Sequence, residues 1–237
     1  MNLRIFDSLD DLARAAARTI VQHARPGAAI ALSGGSTPKP VYEILGRAMA
    51  TDAGERGPGL AGIPITWVVV DERYVPLTDP QSNAAMMQRT LFAAGIPPGH
   101  RFLRFRTELN DPAATARQFE EEWRALGIES LDLIVLGVGD DGHTASLFPG
   151  TSVLGVDDRI ASEVFVPRLD QWRVTLTLPV IRSAKQRIVL AAGASKEPIL
   201  RQAVEGAEYP IVSATAGTET WWLVDRAAAG KTEDESR

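Results

Sequence analysis

The stretch "GVGDDGHTASLFPG" (137–150) holds the strongest candidates for chemistry in this chain: Asp141 and His143, two residues apart in a glycine-bounded loop after an apolar run. Imidazole titrates near neutrality and suits a general base, and a neighbouring carboxylate can orient the ring and stabilise its charged form. His143 is one of three histidines. His23 falls near a helix C-terminus, where cationic capping is a sufficient role. His100 lies in a Pro/Gly-rich turn and is expected to be solvated. The histidines are scattered and lack ligand spacing such as H-E-x-x-H, so no metal is expected. Gly137, Gly139 and Gly142 also satisfy G-x-G-x-x-G, yet that dinucleotide fingerprint needs a long helix and then a strand ending in an acid. Pro149-Gly150 cut any helix to about two turns, and no strand precedes Asp157 and Asp158. What remains is an irregular loop whose glycines permit close backbone approach.

A second kind of chemistry is written in "ALSGGSTPKPVYEIL" (31–45). Ser33, Gly34, Gly35, Ser36 and Thr37 put glycines, hydroxyls and bare amides at a helix start, which suits an anion such as phosphate. Ordinary turn and cap residues would also make that connection. "GASKEPIL" (193–200) repeats the logic, and Lys196 in its first turn opposes the helix dipole unless an anion binds there. In "VDERYVPLTDPQSN" (70–83), Arg73 can grip a phosphate bidentately, while Asp71 can contact a sugar hydroxyl or take a proton. A surface salt bridge is the plainer reading of Asp71-Glu72-Arg73, and Ser82 and Asn83 suit a helix cap. Arg168 and Arg173 flank "LDQW" between two strands and can reach the same crevice. Ser33 makes a poor nucleophile: "ALSGG" lacks the first glycine of G-x-S-x-G.

The elements that must position these residues alternate strand and helix. "SLDDLARAAARTIVQHA" puts Leu9, Leu12, Ala16 and Ile20 on one helical face, with Ser8 and Asp11 resembling a capping box. "AAIALS" (28–33), "PITWVVVD" (64–71), "LDLIVLGVG" (131–139), "QRIVLAAG" and "ETWWLVD" read as strands. "KPVYEILGRAM", "SNAAMMQRTLF", "DPAATARQFEEEWRAL" and "SKEPILRQAVEG" read as helices. Asp111 and Pro112 mark a helix start. "ASEVFVP" and "RVTLTL" are spaced as an antiparallel pair. Residues 50–63 form a Gly-rich loop, either a lid or slack. The pattern predicts one α/β domain over 1–237, a mostly parallel sheet between helical layers, with 226–237 frayed. In such sheets the crevice lies beyond the strands' carboxyl ends, where Ser33–Thr37, Asp71–Arg73, Gly137–His143 and Gly193–Lys196 all fall.

Composition bounds the rest. The chain has 237 residues, 45% hydrophobic and 23% charged, with a formal charge of −5 and no cysteine. That balance argues against nucleic acid as the main partner, although local Arg/Lys clusters still admit a small anion. Disulfides, thiolate zinc and a cysteine nucleophile are excluded. No basic-then-apolar leader begins at Met1, and no apolar run nears the ~20 residues of a membrane span. The expectation is a cytoplasmic monomer with no nucleic-acid or membrane partner.

In order and spacing, "LSGGSTP", "VVVDERYVPLTDPQSN", "LDLIVLGVGDDGHTASLFPG", "RVTLTLPVI" and "AAGASKEPIL" resemble the 6-phosphogluconolactonases, in the larger group that includes glucosamine-6-phosphate isomerase. The resemblance covers roughly residues 5–225. It implies a three-layer α/β/α, modified Rossmann-like fold of the phosphosugar isomerase kind. It also implies hydrolysis of 6-phospho-D-glucono-1,5-lactone in the oxidative pentose phosphate pathway, with no cofactor. By motif position, His143 would activate water beside Asp141, and Ser33 to Thr37, Arg73 and Lys196 would bind the phosphate. The isomerases resemble "GxGxDGHIAFNEP", with a ring-opening glutamate five residues after the histidine. Here that position is Phe148, which favours the lactonase branch.

Overall fold

The computed structural model describes residues 2–51, 59–217 and 219–230. The first half of the chain runs β1 (Asn2–Phe6), α1 (Leu9–His23), β2 (Ala28–Leu32), α2 (Lys39–Thr51), β3 (Ile65–Val69), β4 (Asp71–Arg73), α3 (Asn83–Thr90), β5 (Arg101–Leu103) and α4 (Pro112–Ala125). The second half runs β6 (Leu133–Gly137), β7 (Ala161–Val166), β8 (Gln171–Leu176), α5 (Leu178–Ser183), β9 (Arg187–Ala191), α6 (Glu197–Val204), α7 (Pro210–Thr215), β10 (Thr220–Asp225) and α8 (Arg226–Ala229).

Seven strands form one all-parallel sheet in the order β1-β10-β9-β6-β2-β3-β5, flanked by helices in a three-layer α/β/α, Rossmann-like arrangement. Strands β2, β3, β6 and β9 are buried and mostly apolar on both faces because helices cover both. Strand order reverses between β2 and β6, since β2 leads outward to β3 and β5 while β6 leads the other way to β9 and β10. The loops leaving these two neighbours therefore part and leave a crevice at the carboxyl edge. Both loops carry candidate residues.

The expected pairing of "ASEVFVP" with "RVTLTL" is present as antiparallel β7 and β8, but it lies in a second, three-stranded sheet completed by β4. Val70 joins the two sheets: its N–H donates to Leu32 O at 3.0 Å and its carbonyl accepts from Leu176 N at 2.9 Å. The segment read as one strand ending on Asp71 is thus two strands, bent at Val70.

Local signals hold where they act locally. Ser8 accepts from Asp11 N, and Leu12, Ala16 and Ile20 are buried on α1. Asp111 accepts from the amides of Ala113 and Ala114 ahead of Pro112. Strands β1 and β5 lack a continuous apolar run because they are the two edges of the sheet, β1 largely exposed and β5 only three residues long. The Gly-rich stretch read from residue 50 begins inside α2, and its centre, 52–58, lies outside the described residues. The frayed end expected from 226 instead starts as α8, where Asp225 accepts from Ala228 N and Ala228 is buried. Residues 231–237 lie outside the described residues.

His100 corrects another expectation, for it is buried and not solvated. Trp67 Nε1, a donor only, gives its proton to His100 Nδ1 at 2.9 Å, so Nε2 carries the ring proton toward Ala61 O at 3.2 Å. Burial pushes the His100 pKa below its ordinary 6.5, opposed in part by the carbonyls of Ala61 and Leu60. The unfolded chain then binds the extra proton more readily than the folded one, so this contribution to stability is lost as pH falls below 6.5. Thermal melts between pH 8 and 5 should show the wild type losing more stability than His100→Gln; equal losses would contradict the buried, neutral ring.

Candidate active site

The Ser33–Thr37 loop leaves β2 and turns directly into α2. Ser33 N donates to Val135 O at 3.1 Å, tying the loop to β6, and Tyr42 OH donates to Ser33 O at 2.6 Å. The Ser33 hydroxyl is buried and has no hydrogen-bond partner. A buried hydroxyl without a partner is costly, so its presence here suits a ligand oxygen. Gly34 must be glycine because a Cβ there would lie 1.8 Å from Asn83 Oδ1.

Asn83 sits at the start of α3 and fixes Asp71, donating through Nδ2 to the Asp71 carbonyl at 2.7 Å. From the other side Ser146 Oγ donates to Asp71 Oδ2 at 2.7 Å. Asp71 therefore links β4 and the start of α3 to the histidine loop. Glu72, read from sequence as an exposed ion-pair member, is buried and caps α3 with the carboxylate. It accepts from the amides of Arg73, Asn83 and Ala84 at 2.7–2.8 Å and from Ser82 Oγ at 3.1 Å. Burial drives its pKa up, and those amide bonds partly restrain the rise.

With Glu72 occupied, the cations of the small sheet face each other. Arg73 on β4 is directly opposite Arg173 on β8. Arg173 is only 8% exposed and its Nε has no hydrogen-bond partner. Burial lowers its pKa, and the charge of Arg73 lowers it further. Arg73 donates to Gln81 O at 2.6 Å. Lys196, in a 3-10 turn before α6, donates to Asp140 Oδ1 at 2.6 Å.

The histidine loop leaves β6 at Gly137. Gly139 N donates to His143 O at 2.8 Å, Gly142 N to Gly139 O at 3.0 Å, and Thr144 Oγ1 to Gly137 O at 2.8 Å. Gly142 has φ of 75°, which favours glycine, and Ile211 N binds its carbonyl at 3.0 Å. In this tight turn His143 Nδ1 meets Asp141 Oδ1 at 2.5 Å. The carboxylate oxygen accepts, so Nδ1 carries a proton, and in the neutral ring Nε2 keeps its lone pair. Burial alone would raise the Asp141 pKa, but the hydrogen bonds and charges of His143 and Arg168 bring it below the usual value. Phe148 stacks on His143 with ring centroids 4.1 Å apart.

These loops meet. Ser33–Thr37, Asp71, Arg73, Arg173, Lys196 and His143 all line one cavity of about 220 Å³. Asp141 stands behind His143 and does not line it. Asn83 and Thr144 also line it, and sequence reading assigned neither to the site. The Asn83 signal was present, since Gly34 and Asn83 both follow strands, but nothing in the chain order announces their contact. Among the described residues, no three acidic or histidine side chains converge to hold a metal ion.

Residues 6–222 match the sequence profile described as glucosamine-6-phosphate isomerases/6-phosphogluconolactonase. The chain belongs to that family. A 6-phosphogluconolactonase of Nostoc sp. is 36% identical over 214 residues, covering 85% of this chain and 83% of the relative. One of Synechocystis sp. is 37% identical over 211 residues, covering 84% and 82%. The solved 6-phosphogluconolactonase of Trypanosoma brucei superposes with a TM-score of 0.79 at 26% identity, covering 96% of this chain and 97% of that one. The family thus bears out the resemblance read from the loops and the Rossmann-like architecture.

Two glycines separate room from need. A Cβ on Gly139 would lie 2.0 Å from His143 Nδ1, whereas a Cβ on Gly137 meets nothing within 4 Å. Gly139→Ala should displace the ring and lower any turnover that depends on His143 on the order of 10²-fold. Gly137→Ala should stay near wild type. Equal activities in the two variants would contradict this placement of His143.

Proposed function

We propose that this chain hydrolyses 6-phospho-D-glucono-1,5-lactone to 6-phosphogluconate, the second step of the oxidative pentose phosphate pathway, using water activated by His143. Its named relatives support an enzyme of the 6-phosphogluconolactonase type. The observation that carries the residue roles is the single cavity lined by the Ser33–Thr37 loop, Arg73, Arg173, Lys196 and His143. No organic cofactor or metal enters the scheme, and residues 1–237 act as one catalytic unit.

The phosphate binds to the hydroxyls and amides of Ser33–Thr37 and to the three cations. This distant grip orients the C1 carbonyl without reacting. Nε2 of His143 takes a proton from water as its oxygen bonds to C1, and Asp141 stabilises the imidazolium. Collapse of the tetrahedral intermediate breaks the bond from C1 to the ring oxygen, and His143 returns its proton to that oxygen. The acid product then ionises. Within 137–142 the amides of Gly139 and Gly142 are already donated inside the loop, so the scheme draws on the Val138 amide, at the cavity wall, to stabilise the oxyanion.

Phe148 favours hydrolysis over aldose–ketose isomerisation. Its aromatic ring lies against His143, at the position where the resembling isomerases carry the ring-opening glutamate. In this scheme Asp71 meets a sugar hydroxyl, a role supported by its position in the cavity lining.

His143→Gln should lower kcat about 10²–10⁴-fold while KM changes little. An unaltered kcat in the folded variant would end the general-base assignment. Lys196→Met and Arg73→Met should instead raise KM roughly tenfold or more, the scale of a lost charged hydrogen bond. A variant with wild-type affinity removes that residue from the phosphate site. Incubation with glucosamine 6-phosphate should release no ammonia; steady release would favour the isomerase branch.

A further inference from the structure

His143 is held by two neighbours, and both touch Arg168. Asp141 meets the ring's Nδ1 through Oδ1 while its other oxygen, Oδ2, lies 2.7 Å from Arg168 Nη2. Phe148 covers the ring at 4.1 Å, and the Arg168 guanidinium lies over the Phe148 ring at 5.0 Å from its centroid. The four side chains close a cycle: Arg168, Asp141, His143, Phe148. Arg168 itself does not line the cavity. The geometry points to Arg168 as a positioning residue, which acts on the reaction only through the orientation of His143.

The hairpin "FVPRLDQW" (165–172) is built to hold Arg168 still. Phe165 and Trp172 are directly opposed across β7 and β8 with ring centroids 5.4 Å apart, a cross-strand pair that fixes the register. Pro167 opens a short 3-10 turn, Asp170 N closes it on Pro167 O at 3.1 Å, and Asp170 takes a left-handed φ of 46°. Tyr74 N donates to Trp172 O at 3.0 Å, anchoring the hairpin to the segment after β4. Arg168 thus projects from a rigid tip, although its side chain is half-exposed. A lone exposed ion pair contributes little to stability. Here its consequence is directional: with Oδ2 engaged, the Asp141 carboxylate cannot rotate away from Nδ1. The guanidinium shape matters too, since its central carbon lies over the Phe148 ring while Nη2 meets the carboxylate.

The inference rests on His143 carrying the chemistry, so its test includes a measurement independent of turnover. With three histidines in the chain, nitrogen-15 imidazole spectra can be assigned by substitution. In the wild type the neutral His143 ring should be the Nδ1–H form. Arg168→Gln should raise the Nε2–H fraction, lower kcat roughly tenfold and leave KM within about twofold, as expected for a loosened base. Arg168→Lys, which keeps the charge but not the planar group, should fall between the two. A wild-type tautomer in Arg168→Gln would overturn the inference, even with reduced kcat, because the effect would then bypass the ring. A change confined to KM would overturn it as well. Lack of lactonase turnover in the unaltered protein would defeat the functional reading, while the ring spectra would still decide this one.

Discussion

Arg73 and Arg173 stand opposite each other on two short antiparallel strands, and Arg173 is buried with its Nε unpartnered. Directly opposed like charges repel, and burial removes the water that would weaken the repulsion. Nearby carboxylates offset this only in part, because each has another task. Glu72 caps α3, and Asp71 is held by Ser146 and Asn83. Lys196 adds a third cation whose partner, Asp140, has a side chain 70% exposed. Such a pair is weak in water and yields readily to a better anion. A doubly charged phosphate would relieve the repulsion and complete the pairing at once.

The fold makes that concentration of charge possible. A parallel sheet alone would bring the Ser33 and Gly137 loops together at the β2/β6 divide, but it would supply no arginine pair. The bend at Val70 adds it, carrying the chain from the large sheet into the small one within a single residue. Strand β4 then delivers Arg73 to the crevice, and β8 delivers Arg173. The hairpin that joins β7 to β8 ends beside the histidine loop. One small sheet therefore serves both the arginine pair at the cavity and the support behind the histidine.

Much of this was legible in the chain. The apolar runs of β2, β3, β6 and β9 are long and continuous enough to announce a parallel sheet. The polar residues that follow them fall where the carboxyl-edge rule places a crevice. Asp141 and His143 could be paired because their contact is two residues long. Contacts between distant segments left no such trace. Asn83 against Gly34, Ser146 against Asp71 and Arg168 against Asp141 depend on tertiary geometry that no local pattern encodes. Glu72 and His100 were misread for a related reason. Both sit in polar, turn-rich surroundings, and each is buried because distant backbone or Trp67 supplies its hydrogen bonds. Composition predicts exposure on average and cannot see a specific partner.

In the proposed complex, distant chain segments hold a substrate in one orientation, with its phosphate among the cations and its reacting carbon at the imidazole. A crystal structure of the protein with bound 6-phosphogluconate tests it most directly. Phosphate oxygens should lie in hydrogen-bond contact with Arg173 and the Ser33–Thr37 loop, and the C1 carboxylate beside His143 Nε2. A phosphate seated at His143, or a product bound wholly outside this cavity, would contradict it.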